Sequence, residues 1–441
     1  MIFVESINHK VPGMALHQVF AKLYQAKYLI LATSLILWSI IPIIGTFFLL
    51  LYCQINISGN KIIDRKILFL QNLIPLILVL FTIIIYNASI TPFGDTDVYI
   101  RVYKLLYYEP LFHTDDAFDT DKEPVAFILS QFVSKLTSGD EFSFLLFQSA
   151  TINTAITIYS VIFVPELYPM IILINIMSNG YYYQLFWMPQ FYSFIFIIPS
   201  LYISNYIKSV SLICIAYFTH NSSLSIIGVF IYEKITHYLI HFFKVFKLPD
   251  ILNNKKNISL IAILIVLPLS SVIFQNFVEF ALSQNMFTSK INSYSGAQSA
   301  NFNQDHFNIR NQLRSILDYS VISIFLLNSE FNKFNSLIFF RWVGIFFIML
   351  FFYAAVYTFG FNMRASALFF CLPGFFYIIP IYSGKLDGSI NIYSFILLVW
   401  IIVRSIYFAI ALLNENNYLT FFENQELSTT ITGYFQLLFS Q

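Results

Sequence analysis

Charge is scarce in this sequence. Asp, Glu, Lys and Arg together make up 11% of its 441 residues, against roughly 25% in a soluble globular domain, and that shortage excludes a chain whose whole surface is solvated in the ordinary way. The charge is also balanced, with 24 basic and 23 acidic residues. There is no global field to draw in nucleic acid, so electrostatic recognition must be local. Cysteine is nearly absent: Cys53, Cys214 and Cys371 lie far apart, within or beside apolar runs, which rules out a disulfide framework and a Cys-x-x-Cys metal site. No secretory signal is visible in residues 1–26, where Lys10, Pro12 and Lys22 interrupt any apolar core. Repeats of fixed period are not evident either.

What the sequence has in abundance is apolar residues, at 58%. A spanning helix needs about 20 of them, so the chain holds enough for on the order of a dozen spans. The expected fold is therefore an all-α polytopic membrane protein, a single integral domain over residues 1–441, with about 10–12 transmembrane helices. With 51 Phe and 29 Tyr, aromatics reach 19%. Leu and Ile would serve lipid contact equally well, so some of these rings are expected to line a cavity.

Two long runs, residues 28–52 and 67–90, flank a short basic turn with Lys61, Arg65 and Lys66 and are expected to form a hairpin. Residues 91–123 then carry Asp95, Asp97, Glu109, Asp115, Asp116, Asp119, Asp121 and Glu123 and read as an aqueous loop. An amphipathic piece at 124–136 and a run at 142–164 follow, then 170–178, 191–206, 210–218 and 224–232. Several of these are too short to cross a hydrocarbon core roughly 30 Å thick, which predicts broken or re-entrant helices. Residues 233–257, with Lys234, Lys244, Lys247, Lys255 and Lys256, read as a cytoplasmic loop by the positive-inside rule. That places 91–123 and the polar stretch 283–308 outside. Further runs lie at 258–282, 313–327, 337–358, 365–382 and 390–413.

Chemistry is expected at four places. In the helix opened by Gly94-Asp95-Thr96-Asp97, residues Asp95, Tyr99, Tyr103 and Tyr107 fall on one stripe, with Asp97, Arg101 and Lys104 beside it. Phenols and carboxylates so placed suit a carbohydrate; they suit an interfacial surface helix equally well. The Asp-x-Asp triplet alone is too short to imply a metal site. Next, Gln190 opens an apolar run after Trp187 and Pro189. His220, within Thr219-His220-Asn221-Ser222-Ser223, lies between two half-length runs. It is either a functional group at the tip of a re-entrant hairpin or a turn residue beside a helix cap. Finally, Lys290 and Tyr294 lie in the stretch 283–308, and Arg310 and Arg314 stand four apart at the head of an apolar run. Their guanidinium forks match a lipid diphosphate, or they anchor the helix by snorkelling to water.

In order and spacing, Gly94-Asp95-Thr96-Asp97-Val98-Tyr99, Glu123-Pro124, Met188-Pro189-Gln190 and Phe218-Thr219-His220-Asn221-Ser222-Ser223 resemble the EpsG-like group of Wzy-type polysaccharide polymerases, over about residues 67–232. Two departures stand out: Pro189 occupies the place of the usual arginine, and Val125-Ala126-Phe127 follows Glu123-Pro124 where Gly-Phe is usual. The resemblance implies a GT-C-like glycosyltransferase of the bacterial inner membrane, without metal or cofactor. It would move a growing glycan from undecaprenyl diphosphate onto the non-reducing end of a lipid-linked repeat unit. Membrane lipid, a flippase and a chain-length regulator are the implied partners, and nucleic acid is not. Asp95, Asp97, Glu123 and His220 are then the candidate catalytic groups; Tyr99, Arg101, Tyr103, Lys104, Gln190, Lys290, Tyr294, Arg310 and Arg314 are the candidate substrate contacts. A lipid-linked oligosaccharide flippase and a membrane acyltransferase with His220 as base are the alternatives from other classes.

Overall fold

The computed structural model describes residues 24–59, 65–89, 95–110, 124–177, 188–220, 226–234 and 430–439, with isolated residues elsewhere. Among these the secondary structure is helical, with no strand. The helices are α1 (Lys27–Ile40), α2 (Pro42–Gly59), α3 (Arg65–Ala88), α4 (Asp95–Tyr108), α5 (Pro124–Leu136), α6 (Glu141–Phe163), α7 (Tyr168–Ile176), α8 (Met188–Tyr202), α9 (Tyr206–Thr219) and α10 (Ile431–Phe439). Two helical stretches here, Phe69–Ala88 and Glu141–Phe163, are long and apolar enough to cross a membrane. The spans expected between 258 and 413 lie outside the described residues, apart from isolated positions.

The chain divides into two compact units. The first comprises Met1–Pro92, Leu145–Tyr181 and Tyr377–Gln441. Here the run expected as one span, 28–52, is broken. Ile41 leaves the helix at φ −133° and ψ 89°, because the residue before a proline is pushed out of the α region, and Pro42 starts α2 where its missing N–H costs nothing. The chain turns so sharply that a Cβ on Gly45 would lie 2.2 Å from the Trp38 Cα; only glycine fits. The expected pairing of the basic-turn runs survives as α2 against α3, joined by Asn56 Nδ2 donating to Asn72 Oδ1 at 2.9 Å. Trp38 Nε1 donates to Thr82 Oγ1 at 2.8 Å, tying α1 to α3. Tyr181 and the end of α3 exchange two bonds, Asn87 Nδ2 to the Tyr181 carbonyl at 2.8 Å and Tyr181 Oη to the Ile83 carbonyl at 2.7 Å.

In this unit polar side chains are buried beside apolar ones such as Val79 and Ile83, while other apolar side chains face outward. On α3, Asn72, Thr82 and Asn87 are fully buried, whereas Ile67, Leu70, Ile74 and Ile77 form an exposed stripe. On α6, Ser149, Asn153, Thr157 and Ser160 face inward while Ile158 and Ile162 face out. The inward groups bond one another and nearby carbonyls, as Ser149 Oγ does with the Ile84 carbonyl at 2.9 Å and Asn153 Nδ2 with the Ser149 carbonyl at 2.9 Å.

The second unit comprises Phe93–Phe144 and Tyr182–Phe376. Its first part contains the helix expected to open at Asp95 within the stretch 91–123: residues 95–108 form α4, with Thr96, Ile100, Tyr103 and Leu106 buried. The period of those apolar positions overrides the acidic composition. Ser134 Oγ of α5 donates to the Tyr103 carbonyl at 2.7 Å. The turn into α6 uses Ser138 and Gly139 at φ 55° and 72°, and the Asp140 carboxylate caps α6 by accepting the Ser143 N–H at 2.7 Å. Its second part is α8, α9 and a helical stretch at 226–234. Glu233, at the edge of the expected cytoplasmic loop 233–257, is buried in the last turn of that stretch.

Gly45→Ala should lower the thermal unfolding midpoint of the full-length protein in detergent, since overpacking at a site with no room typically costs about 1–3 kcal/mol. An unchanged midpoint would mean the turn at Ile41 opens without penalty.

Candidate functional site

All the candidate residues whose side chains are described fall in the second unit. On α4, Asp97 and Arg101 are exposed and paired at 3.6 Å, and Lys104 Nζ donates to Glu141 Oε2 at 2.7 Å. The neighbouring tyrosine stripe is divided in its exposure. Tyr103 is fully buried; its hydroxyl is engaged by Thr137 and the Val133 carbonyl, and its ring stacks on Phe144 with centroids 4.1 Å apart. Burial pushes its phenol above the ordinary value, so it stays protonated. Tyr99 and Tyr107 are half-buried. Asp95 opens the helix, but its side chain lies outside the described residues, as do Glu123, Lys290, Tyr294, Arg310 and Arg314.

α8 and α9 are 15 and 14 residues long, about 22 Å each at 1.5 Å per residue, and they pack together across a three-residue connection. Such an αα-hairpin is antiparallel. The first turn of α8, with Gln190, therefore lies at the same end as the last turn of α9, with His220. Asn205 N-caps α9 by accepting the Lys208 N–H at 3.1 Å. At the other terminus the backbone of His220 does the capping: its N–H donates to the Ala216 carbonyl at 2.8 Å, and its carbonyl accepts the Ser223 N–H at 3.0 Å. The imidazole is not needed for the cap. His220 is 8% exposed, Gln190 4% and Ser223 2%. Neither the Gln190 carboxamide oxygen nor the Ser223 hydroxyl has a hydrogen-bond partner among the described residues.

The opposite end of the hairpin is closed by a residue that the sequence reading passed over. Arg341, 1% exposed, donates through Nε to Glu233 Oε2 at 2.9 Å. Its Nη1 donates to the carbonyls of Ser200 at 2.9 Å, Leu201 at 3.3 Å and Ile203 at 2.6 Å, which are orphan acceptors at and just beyond the α8 terminus. The guanidinium also lies 4.7 Å from the Phe230 ring centroid. A fork committed in this way is a clamp. The signal was present in the sequence: Arg341 is a lone cation inside the apolar run 337–358 and therefore requires a partner. What remained invisible was that the partner is Glu233, 108 residues away.

Compared with known proteins, the chain matches no family model, no curated protein and no solved structure.

Removing one member of the buried pair leaves the other charge uncompensated, at a typical cost of about 3–5 kcal/mol. Arg341→Met and Glu233→Gln should each lower the unfolding midpoint sharply, while the double variant should lose less than the sum of the two. Additive losses would show that the two side chains are not energetically coupled.

Proposed function

We propose that the chain is a multi-pass inner-membrane glycosyltransferase of the Wzy kind, which extends a polysaccharide by transferring the growing glycan from undecaprenyl diphosphate to the end of a lipid-linked repeat unit. The observation that carries this reading is the α8–α9 hairpin, clamped by Arg341 at one end and carrying the buried polar residues His220, Gln190 and Ser223 at the other. A site for lipid-linked sugar needs polar groups held inside an apolar wall. The exposed apolar stripes of α3 and α6 over polar interiors support the same setting, because such stripes are stable against acyl chains and not against water. The order of the short motifs along residues 94–223 agrees with it.

In this reading the acceptor hydroxyl oxygen bonds to the anomeric carbon of the donor glycan as the bond from that carbon to the diphosphate oxygen breaks. The acceptor proton passes to a base, and undecaprenyl diphosphate leaves with the electron pair. Imidazole is the side chain suited to take a proton near neutral pH, which gives His220 that role, supported by a carboxylate from Asp95, Asp97 or Glu123. Arg310 and Arg314 supply the cations for the leaving diphosphate, since Pro189 replaces the arginine expected beside Gln190 and the Arg341 fork is engaged by Glu233 and three carbonyls.

Purified protein reconstituted with a lipid-linked repeat unit should yield a ladder of lengthened products; absence of the ladder from folded protein overturns the reading. Removing a general base typically loses about 10²–10⁴-fold in rate, so His220→Ala should fall in that range per folded molecule. Asp95→Asn and Asp97→Asn, followed across pH, identify the supporting carboxylate. If His220→Ala retains full turnover, the histidine is structural. Arg310→Ala and Arg314→Ala should each weaken use of the lipid donor, because a charge-assisted contact contributes about 1.5–3 kcal/mol. Asp116→Cys and Asn254→Cys, in a background free of native cysteine, should label from opposite sides of the membrane.

A further inference from the structure

Gln190 and Ser223 pose a specific problem. Each places a polar atom in the protein interior with no partner among the described residues, an arrangement that destabilises a fold unless something else completes it. The antiparallel hairpin brings the two residues to one end, since Gln190 is in the first turn of α8 and Ser223 donates its N–H to the His220 carbonyl beyond the end of α9. Two segments separated in sequence thus each leave an unsatisfied polar atom at this end of the hairpin.

The charge pattern constrains what could satisfy them. From residue 167 to residue 232 the sequence contains one formally charged side chain, Lys208, and it sits in the first turn of α9, at the opposite end from His220. The first turn of α8, the end of α9 and Ser223 therefore offer a carboxamide, a hydroxyl and an imidazole and no fixed charge. A diphosphate would meet no cation from these segments and would lose its hydration without compensation. A neutral hydroxyl-bearing ring fits, because a carboxamide oxygen accepts from a hydroxyl and a serine hydroxyl donates or accepts.

We infer that this uncharged end of the α8–α9 hairpin is a subsite for one neutral sugar ring of the acceptor glycan, gripped by Gln190 and Ser223 beside His220, and that the diphosphate is held elsewhere. The inference rests on the polymerase reading above and assigns the substrate class to its site. It also sets a sign that a packing role would not. If the two polar atoms await a ligand, replacing them with apolar groups of similar size stabilises the empty protein; if they support the fold, the same changes destabilise it.

The test uses the full-length protein in lipid nanodiscs. Unfolding midpoints are measured with and without methyl β-glucoside, methyl β-galactoside, methyl α-mannoside and N-acetylglucosamine at tens of millimolar. At least one sugar should raise the wild-type midpoint. Gln190→Met and Ser223→Ala should each raise the sugar-free midpoint by a few degrees and together abolish the sugar-induced shift. In the polymerisation assay each should raise the acceptor KM about five- to tenfold without a matching change for the lipid donor. Ser223→Ala, the smaller change, decides the matter if Gln190→Met does not fold. The inference is overturned if no sugar shifts the midpoint, if the double variant keeps the shift, or if both single variants lower the sugar-free midpoint. Sugar binding abolished in the double variant, together with no polymer from the wild type, would retain the subsite and remove the polymerase reading. Polymer formation with an unchanged acceptor KM in both variants would do the reverse.

Discussion

A guanidinium withdrawn from water must recover its hydrogen bonds from the protein, and Arg341 recovers them from one carboxylate and three main-chain carbonyls. This one group settles several demands together. It neutralises Glu233 at the end of the 226–234 stretch, it gives donors to acceptors that α8 leaves open at its C-terminus, and it adds a positive charge where the helix dipole is negative. Because α8 is only 15 residues long and contains Pro199, its terminus has few other means of satisfaction. The position of α8, and with it the end that carries Gln190, depends on a cation 138 residues or more beyond it in sequence.

The same need for internal hydrogen bonding governs the first unit in milder form. Trp38 with Thr82, Asn56 with Asn72 and Tyr181 with α3 are uncharged pairs, each modest in strength and each costly to leave unmade in an apolar setting. Gly45 against Trp38 supplies a close approach and the polar pairs supply the register.

Much of the helical architecture was legible in the sequence because local rules suffice for it. The half-length pieces around 170–218 emerge as α7, α8 and α9, since apolar run length translates directly into helix length. His220 at the boundary of two short helices could be placed for the same reason. Errors arose where two local signals compete. The run 28–52 looked continuous because hydropathy ignores the restriction that Pro42 places on Ile41. The tyrosine stripe was correctly spaced for one face of a helix, but spacing cannot say whether that face meets a ligand or a neighbouring helix. For Tyr103 it meets α5 and Phe144.

The sequence by itself determined that the chain is helical, poor in charge and broken into short pieces around its histidine, because composition and period act over a few residues at a time. Only the tertiary structure decided that Arg341 belongs with Glu233 and the end of α8, that Tyr103 is a packing residue, and that the Gln190 carboxamide oxygen and the Ser223 hydroxyl are buried with no partner among the described residues. Those outcomes depend on which distant segments meet. A side chain becomes a clamp, a wall or a site according to the groups that desolvate it, and the groups around Arg341 come from parts of the chain more than a hundred residues away from it.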